Sequence, residues 1–471
     1  PRYLDFERWW GGFYLMNREE IEWITHNLFV GNKLWKGGVS SGAGKVFDLR
    51  EIKSPIVLFA SLGDNITPPE QAFNWVADVY GSTDEIKARG QTIVGLMHAN
   101  IGHLGIFVSG GVARREHRQI VSVLESIEAL PPGLYGMKIT DREGEDGAPA
   151  YDVEFVERRL EDVIPRLNRF ERVDEQPFEV VAKVSDFNQR AYELFAQPAV
   201  QAIGSEAAGK ALRAMHPLRA ERWAVSDLNP WLWWLGPAAT AVKEQRQPAS
   251  CDQPFARAEK LGAALTSAAW DYYRDLRDAA SEAAFFQLYG SLFGLGLADA
   301  GAKAAAVSRA AQQRDAALVR GVLARIGEGG YAAALARTAH LLADRGRPLP
   351  LELFETKAEL LREYRALLPD LTPDQMRRIR GEQAIIVEHE PERAIDTLPE
   401  LLADPADRRR YFDLFGRLLA DPRFGARAPE ARQRAAFERL QGALAPAPAR
   451  RAAKAATKKT ARRGVTARRG A

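Results

Sequence analysis

Two residues carry side chains of the kind that move protons, and both stand directly behind apolar runs. Asp64 follows Ile56-Val57-Leu58-Phe59-Ala60, and His103 follows Thr92-Ile93-Val94-Gly95-Leu96-Met97. A carboxylate that orients an imidazole, and an imidazole that takes a proton from a nucleophile, form the acid and base of a hydrolytic or acyl-transfer triad. His98 competes for the base role. It lies at the end of the second run without a glycine before it, whereas Gly102 precedes His103, so His103 is preferred.

The elements that must position this pair follow from the pattern between them. Pro68-Pro69-Glu70 opens a helical stretch that puts Phe73, Val76, Ala77 and Tyr80 on one face. The order is strand, acid loop, helix, strand, histidine loop. An α/β-hydrolase closes its catalytic domain in that order, after a nucleophile placed earlier in the chain. No suitable nucleophile precedes Asp64. Cys251, the single cysteine, sits in Pro248-Ala249-Ser250-Cys251-Asp252 without a Gly-x-Cys-x-Gly turn and reads as non-catalytic. The chain opens on Pro1-Arg2-Tyr3 and is already aromatic-rich by Trp9 and Trp10. It is therefore expected to be the C-terminal portion of a longer protein.

Residues 20–110 resemble the C-terminal catalytic part of poly(3-hydroxyalkanoate) synthases. The resemblance rests on Asn27-Leu28-Phe29-Val30-Gly31-Asn32-Lys33-Leu34, on Phe47-Asp48-Leu49 with Ile52 and Pro55, on Gly63-Asp64-Asn65-Ile66-Thr67-Pro68, and on Gly102-His103-Leu104. Nearly the whole chain looks like a bacterial synthase-like family with a long helical C-terminal region. The resemblance implies that Asp64 and His103 are the triad acid and base, that a cysteine in an upstream elbow is the nucleophile, and that the substrate is a hydroxyacyl thioester, an ester or the polyester itself. It also implies that the aromatic residues of 1–35 form a cap contacting the acyl chain. Asn65 and Asn100-Ile101 depart from the synthase pattern and bear on substrate preference.

Composition sets the frame. A chain of 471 residues, 46% hydrophobic, is long enough for several domains with their own cores. One cysteine excludes an internal disulfide and fits a reducing, cytoplasmic setting. No continuous apolar run is long enough to span a membrane. The stretch Ala283 to Ala300 is interrupted by polar residues, and its Gly290-x-x-x-Gly294 spacing reads as a helix–helix contact.

The net charge of +3 conceals an asymmetry. Nine cations and no acid lie between Arg450 and the C-terminus, so the remainder of the chain is net acidic. The tail follows Ala445-Pro446-Ala447-Pro448-Ala449 and has no hydrophobic face, so it is expected to be disordered. Such a segment is either a solubilising tail or an anchor for anionic surfaces or nucleic acid.

The expected fold class is α/β plus all-α: the C-terminal part of an α/β-hydrolase fold, then a mostly helical extension, then the basic tail. The divisions expected are 1–130 (hydrolase part with cap, the last helix running from Arg115 to Ala129), 131–175 (a hairpin and connecting helix), 176–300 (helical), 301–444 (helical, faintly similar to tellurite-resistance TerB-like domains) and 445–471 (tail). The hairpin pairs Tyr135–Thr140 with Tyr151–Phe155, and no β run is expected beyond it. Pro177 and Pro198 are expected to bound one helix carrying Phe187, Tyr192, Leu194 and Phe195. Trp231, Trp233 and Trp234 cannot all face one side of a helix. They read as a packing seam, with a partner or apolar ligand as the functional alternative.

Three other motifs are set aside. Gly37 to Lys45 lacks the glycine spacing and the preceding strand of a phosphate cradle. Asp141, Glu143, Glu145 and Asp146 lack the closing bidentate glutamate of a calcium loop. Glu388-His389-Glu390 is broken by Pro391 before it can pair ligands along a helix. No cofactor and no metal is expected. The alternative to an enzyme is a scaffold that docks on polymer granules, anionic membrane or DNA through the helical region and tail. The oligomeric state is left open by the sequence.

Overall fold

Both apolar runs lack a polar face, so they suit strands covered on both sides. In a computed structural model of the chain they lie side by side and parallel: β1 (Ile56–Ser61) and β2 (Thr92–His98), in register from Ile56 opposite Ile93 to Ser61 opposite His98. The structure describes residues 5, 15–35, 37–40, 44–143, 149–168, 172–246, 250, 253–292, 313–343, 347–425 and 431–444. Contacts divide the chain into two units, one from 1–31 and 172–302, the other from 32–171 and 303–471.

The second unit holds a mixed five-stranded sheet in the order β1-β2-β3-β4-β5. Helices α1 (Pro69–Tyr80) and α2 (Thr83–Ala88) connect β1 to β2. After β2 the chain runs through short helical turns to α3 (Leu124–Ala129). The continuous helix expected from Arg115 to Ala129 breaks at Val123, whose φ of −110° and ψ of 14° leave the helical region. Leu124 consequently turns outward, whereas Val123 and Ile127 stay buried.

Strand β3 (Gly133–Glu143) lies parallel to β2 and forms an antiparallel hairpin with β4 (Pro149–Arg158). Helix α4 (Leu160–Leu167) follows. Far along the chain, α5 (Gly330–Leu342) leads to a two-residue strand, β5 (Leu349–Pro350), which pairs with Glu154 and Phe155 of β4. No β run was expected there, because two residues are too short for alternation to register. Helices α6 (Leu351–Glu363) and α7 (Pro373–His389) follow, the latter started by a Thr372–Gln375 capping box with Pro373 in its first turn.

Each sheet face has its own core. Ile93 and Leu134 pack with Val76, Val79 and Tyr80 of α1, Ile86 of α2 and Leu160 of α4. On the other face Val94, Leu96, Tyr135 and Phe155 pack with Ile127 of α3 and Phe354 of α6, and the rings of Phe155 and Phe354 meet edge to face at 5.7 Å. The helices after residue 313 are thus part of the unit that contains the sheet. All but one residue of α2 is buried, its charged side chains included. Lys87 reaches Glu157 at 2.9 Å and Glu388 at 3.0 Å, and Asp84 accepts from His389 at 2.7 Å. The Glu388-His389 pair is therefore an ionic clasp between α2 and α7.

The first unit is helical, with Arg18–Ile24, Gln176–Ala191 and the 32-residue Pro254–Phe285 among its helices. Phe178 and Phe285 stack at 4.6 Å. Pro198 does not stop the chain's helical course but sits in the first turn of Gln197–Ile203, and Phe187, Leu194 and Phe195 are exposed. Trp231 and Trp233 are 81% and 77% exposed, so they do not form a packing seam among the described residues. Gly294, Cys251 and the basic tail lie outside the described residues. No helix of the described residues is long and apolar enough to cross a membrane.

Candidate active site

Parallel strands end together, so the loops after β1 and β2 emerge at one edge of the sheet. There the acid loop and the histidine loop are tied by two contacts. The Ser61 hydroxyl donates to the carbonyl of Ile101 at 2.6 Å and accepts from the Gly63 N–H at 3.1 Å. Gly63 lies against the Asn100 peptide so closely that a Cβ there would come within 2.6 Å of the Asn100 carbonyl carbon. Glycine is needed here for room. In the sequence Gly63 is named only as the first residue of the motif around Asp64, and Ser61 is not named, although both precede Asp64 by three residues or fewer.

Asp64 is 2% exposed and its carboxylate is saturated with donors. Oδ1 accepts from the backbone N–H groups of Ile66 and Thr67, both at 2.9 Å, which closes a tight turn over the side chain. Oδ2 accepts from the Thr67 hydroxyl at 2.7 Å and from His103 Nδ1 at 2.9 Å. Burial pushes the carboxyl pKa up, but the donors from Thr67, His103 and Ile66 outweigh it and hold the pKa at about 2. Asp64 is ionised throughout the physiological range.

His103 is one-third exposed. An ionised Asp64 that only accepts requires the proton on Nδ1, and Thr67 Oγ1, 3.0 Å from the same nitrogen, offers a second lone pair. Nε2 then carries the free lone pair. Among the described residues no protein group bonds to Nε2, and no serine or cysteine side chain reaches the ring. An imidazole held this way can take a proton at Nε2, with Asp64 fixing its tautomer.

The competitor is occupied otherwise. His98 Nδ1 accepts from the N–H groups of Asn100 and Ile101, both at 3.2 Å, and its Nε2 is 3.8 Å from Glu116. It folds the loop that delivers His103. Asp141, expected from the sequence in the acidic loop, lies in β3 opposite Tyr151 and pairs with Arg115 at 2.9 Å, and residues 144–148 lie outside the described residues. Among the described residues no three His, Cys, Asp or Glu side chains converge as a metal site would require. In the glycine-rich stretch, Gly37 and Gly44 take positive φ, and Ser40 and Val46 form an isolated antiparallel bridge.

The model of a family described as "Protein of unknown function (DUF3141)" matches residues 1–325, which include both Asp64 and His103. A curated protein of Rhizobium meliloti, "Uncharacterized protein in ackA 5'region", is 39% identical over 294 residues, 62% of this chain and 40% of the relative. The chain thus spans less than half the length of that relative. No solved structure matches the chain.

Proposed function

The chain belongs to that family, and we propose that it is the C-terminal part of a polyhydroxyalkanoate synthase-like α/β-hydrolase that transfers acyl groups from hydroxyacyl thioesters or esters. The observation that carries the proposal is the 2.9 Å bond from His103 Nδ1 to a buried, ionised Asp64, with Nε2 unengaged among the described residues. The rest of the active site is supplied by another part of the longer protein. Strand β1 supports this, because it ends the sheet and its outer edge has no partner strand among the described residues. A further parallel strand there would end at the same edge as Asp64 and His103.

On this reading His103 Nε2 takes the proton from the nucleophile's thiol or hydroxyl as that atom bonds to the acyl carbonyl carbon. The tetrahedral intermediate collapses, the carbon–sulfur or carbon–oxygen bond of the leaving group breaks, and the imidazolium returns its proton to the departing atom. His103 then deprotonates a hydroxyl or water that attacks the acyl-enzyme carbonyl carbon, the bond from that carbon to the nucleophile breaks, and the imidazolium returns its proton to the nucleophile. Asp64 stays ionised, fixes the tautomer and stabilises the imidazolium. The setting is cytoplasmic.

The test compares this chain with the full-length protein on short acyl thioesters and esters. The chain alone is expected to show no turnover. In the full-length protein His103→Ala should lower kcat by about 10³-fold or more. Full-length turnover that survives His103→Ala would overturn the assignment. A second reading, a non-catalytic scaffold, draws on the exposed Trp231 and Trp233. It gains ground if the full-length protein is inert and Trp231→Ala abolishes attachment to polyester granules.

A further inference from the structure

Two glycines stand opposite each other in adjacent strands, Gly95 of β2 and Gly136 of β3. The residues flanking each are buried, yet the glycines themselves are partly open, so the sheet's backbone is bare at this point. The Phe73 ring lies so near Gly95 that a Cβ there would come within 2.7 Å of it. Gly136 has ordinary clearance, with the Arg158 side chain 3.6 Å from where its Cβ would lie. The bare backbone floors a cavity of about 500 Å³, within the range of small-ligand sites, walled by Phe73, Met97, Val163 and Leu167.

The charged residues lining this cavity are all cations: Arg115, Lys138 and Arg158. Arg115 is taken by Glu116 and Asp141, and Lys138 by Glu154 at 2.9 Å. Arg158 is exposed, and its side chain has no hydrogen-bond or carboxylate partner among the described residues and lies beside the glycine floor. No aspartate or glutamate lines the cavity. An apolar trough with one uncompensated guanidinium suits a ligand that is apolar along its length and anionic at one end, and a carboxylate matches the guanidinium fork.

We propose that this trough binds a medium-length alkyl carboxylate, its chain over Gly95 and Gly136 and its carboxylate on Arg158. The site goes beyond the acyl-transfer reading and does not depend on it.

The test is calorimetric titration of the full 471-residue chain with decanoate and with decanol, below their aggregation limits. Decanoate should bind at one saturable site. Arg158→Gln should weaken decanoate about tenfold, as loss of a charge-assisted contact does, and leave decanol unchanged. Gly136→Val, which puts a side chain on the trough floor, should weaken both, with an unaltered circular dichroism melt showing that the fold is kept. If Gly136→Val unfolds the protein, Val163→Trp fills the trough from its wall and should have the same effect. No saturable decanoate binding, or binding that survives whichever trough-filling variant stays folded, overturns the site. Decanoate and decanol responding equally to Arg158→Gln overturns the anionic ligand. His103→Ala should leave decanoate binding intact, so failure of this site and failure of the acyl-transfer reading are separately visible.

Discussion

The Ser61 hydroxyl, at the end of β1, holds the Ile101 carbonyl at 2.6 Å, two residues before His103. This bond spans the two loops and makes Ser61 a positioning residue for the Asp64–His103 pair. Its hydroxyl also accepts from Gly63, so one atom sets the path of both loops.

Ser61→Ala should therefore leave the sheet intact but loosen the histidine loop. The expected cost is about 1 kcal/mol of stability, because a half-buried Ile101 carbonyl and a Gly63 N–H each lose a partner. In a full-length enzyme kcat should fall with little change in KM. Ser61→Thr, which keeps the hydroxyl, should restore much of the loss. An equal loss in both variants would show that the site needs the volume of serine, not its bond.

Asp64 makes stability depend on acid. Its folded pKa, about 2, lies below the ordinary value of 3.8. The stabilisation is thus fully present above about pH 4 and is lost as pH falls through the folded pKa. The shift corresponds to roughly 2 kcal/mol. Denaturant titrations between pH 5 and 2 should show wild type losing that much more stability than Asp64→Asn. Parallel curves for the two proteins would contradict the assignment of Asp64 as a strongly held carboxylate.

Gly381 governs the docking of α7 on α2. A Cβ there would sit 1.7 Å from the Lys87 carbonyl oxygen, a backbone atom that cannot swing away. Gly381→Ala should lower stability by about 3 kcal/mol or more despite the better helix propensity of alanine. A thermal melt decides it, since an unchanged or raised midpoint would mean that the helices do not approach this closely.

The basic C-terminal segment should bind polyanions by counterion release. Truncation after Leu444 is expected to abolish binding to DNA and to anionic vesicles at low salt. Intact protein should lose its binding as salt rises to the physiological range. Binding unchanged by truncation would assign the segment to solubility, and binding that persists in high salt would direct attention to Trp231 and Trp233.

Much of the site could be read from the order of residues. The runs 56–60 and 92–97 are apolar on both faces, so they demanded a covered parallel pair, and chain reversal placed Asp64 and His103 behind their ends. The preference for His103 over His98 was argued from Gly102, whereas the bonds of two backbone N–H groups to His98 could be seen only in the folded loop. Ser61, Gly63 and the facing pair Gly95 and Gly136 could not be singled out, because their roles depend on which backbone passes within 3 Å or on strand register. Sequence spacing carries local periodicity and the positions of loops, which arise from forces along the chain. The tie between loops, the joining of residues after 313 to the sheet unit through β5 and the Lys87 clasp, and the bare floor of the cavity arise between segments far apart in sequence. Only tertiary packing decides those, because the partner atoms are specified nowhere near the residues they constrain.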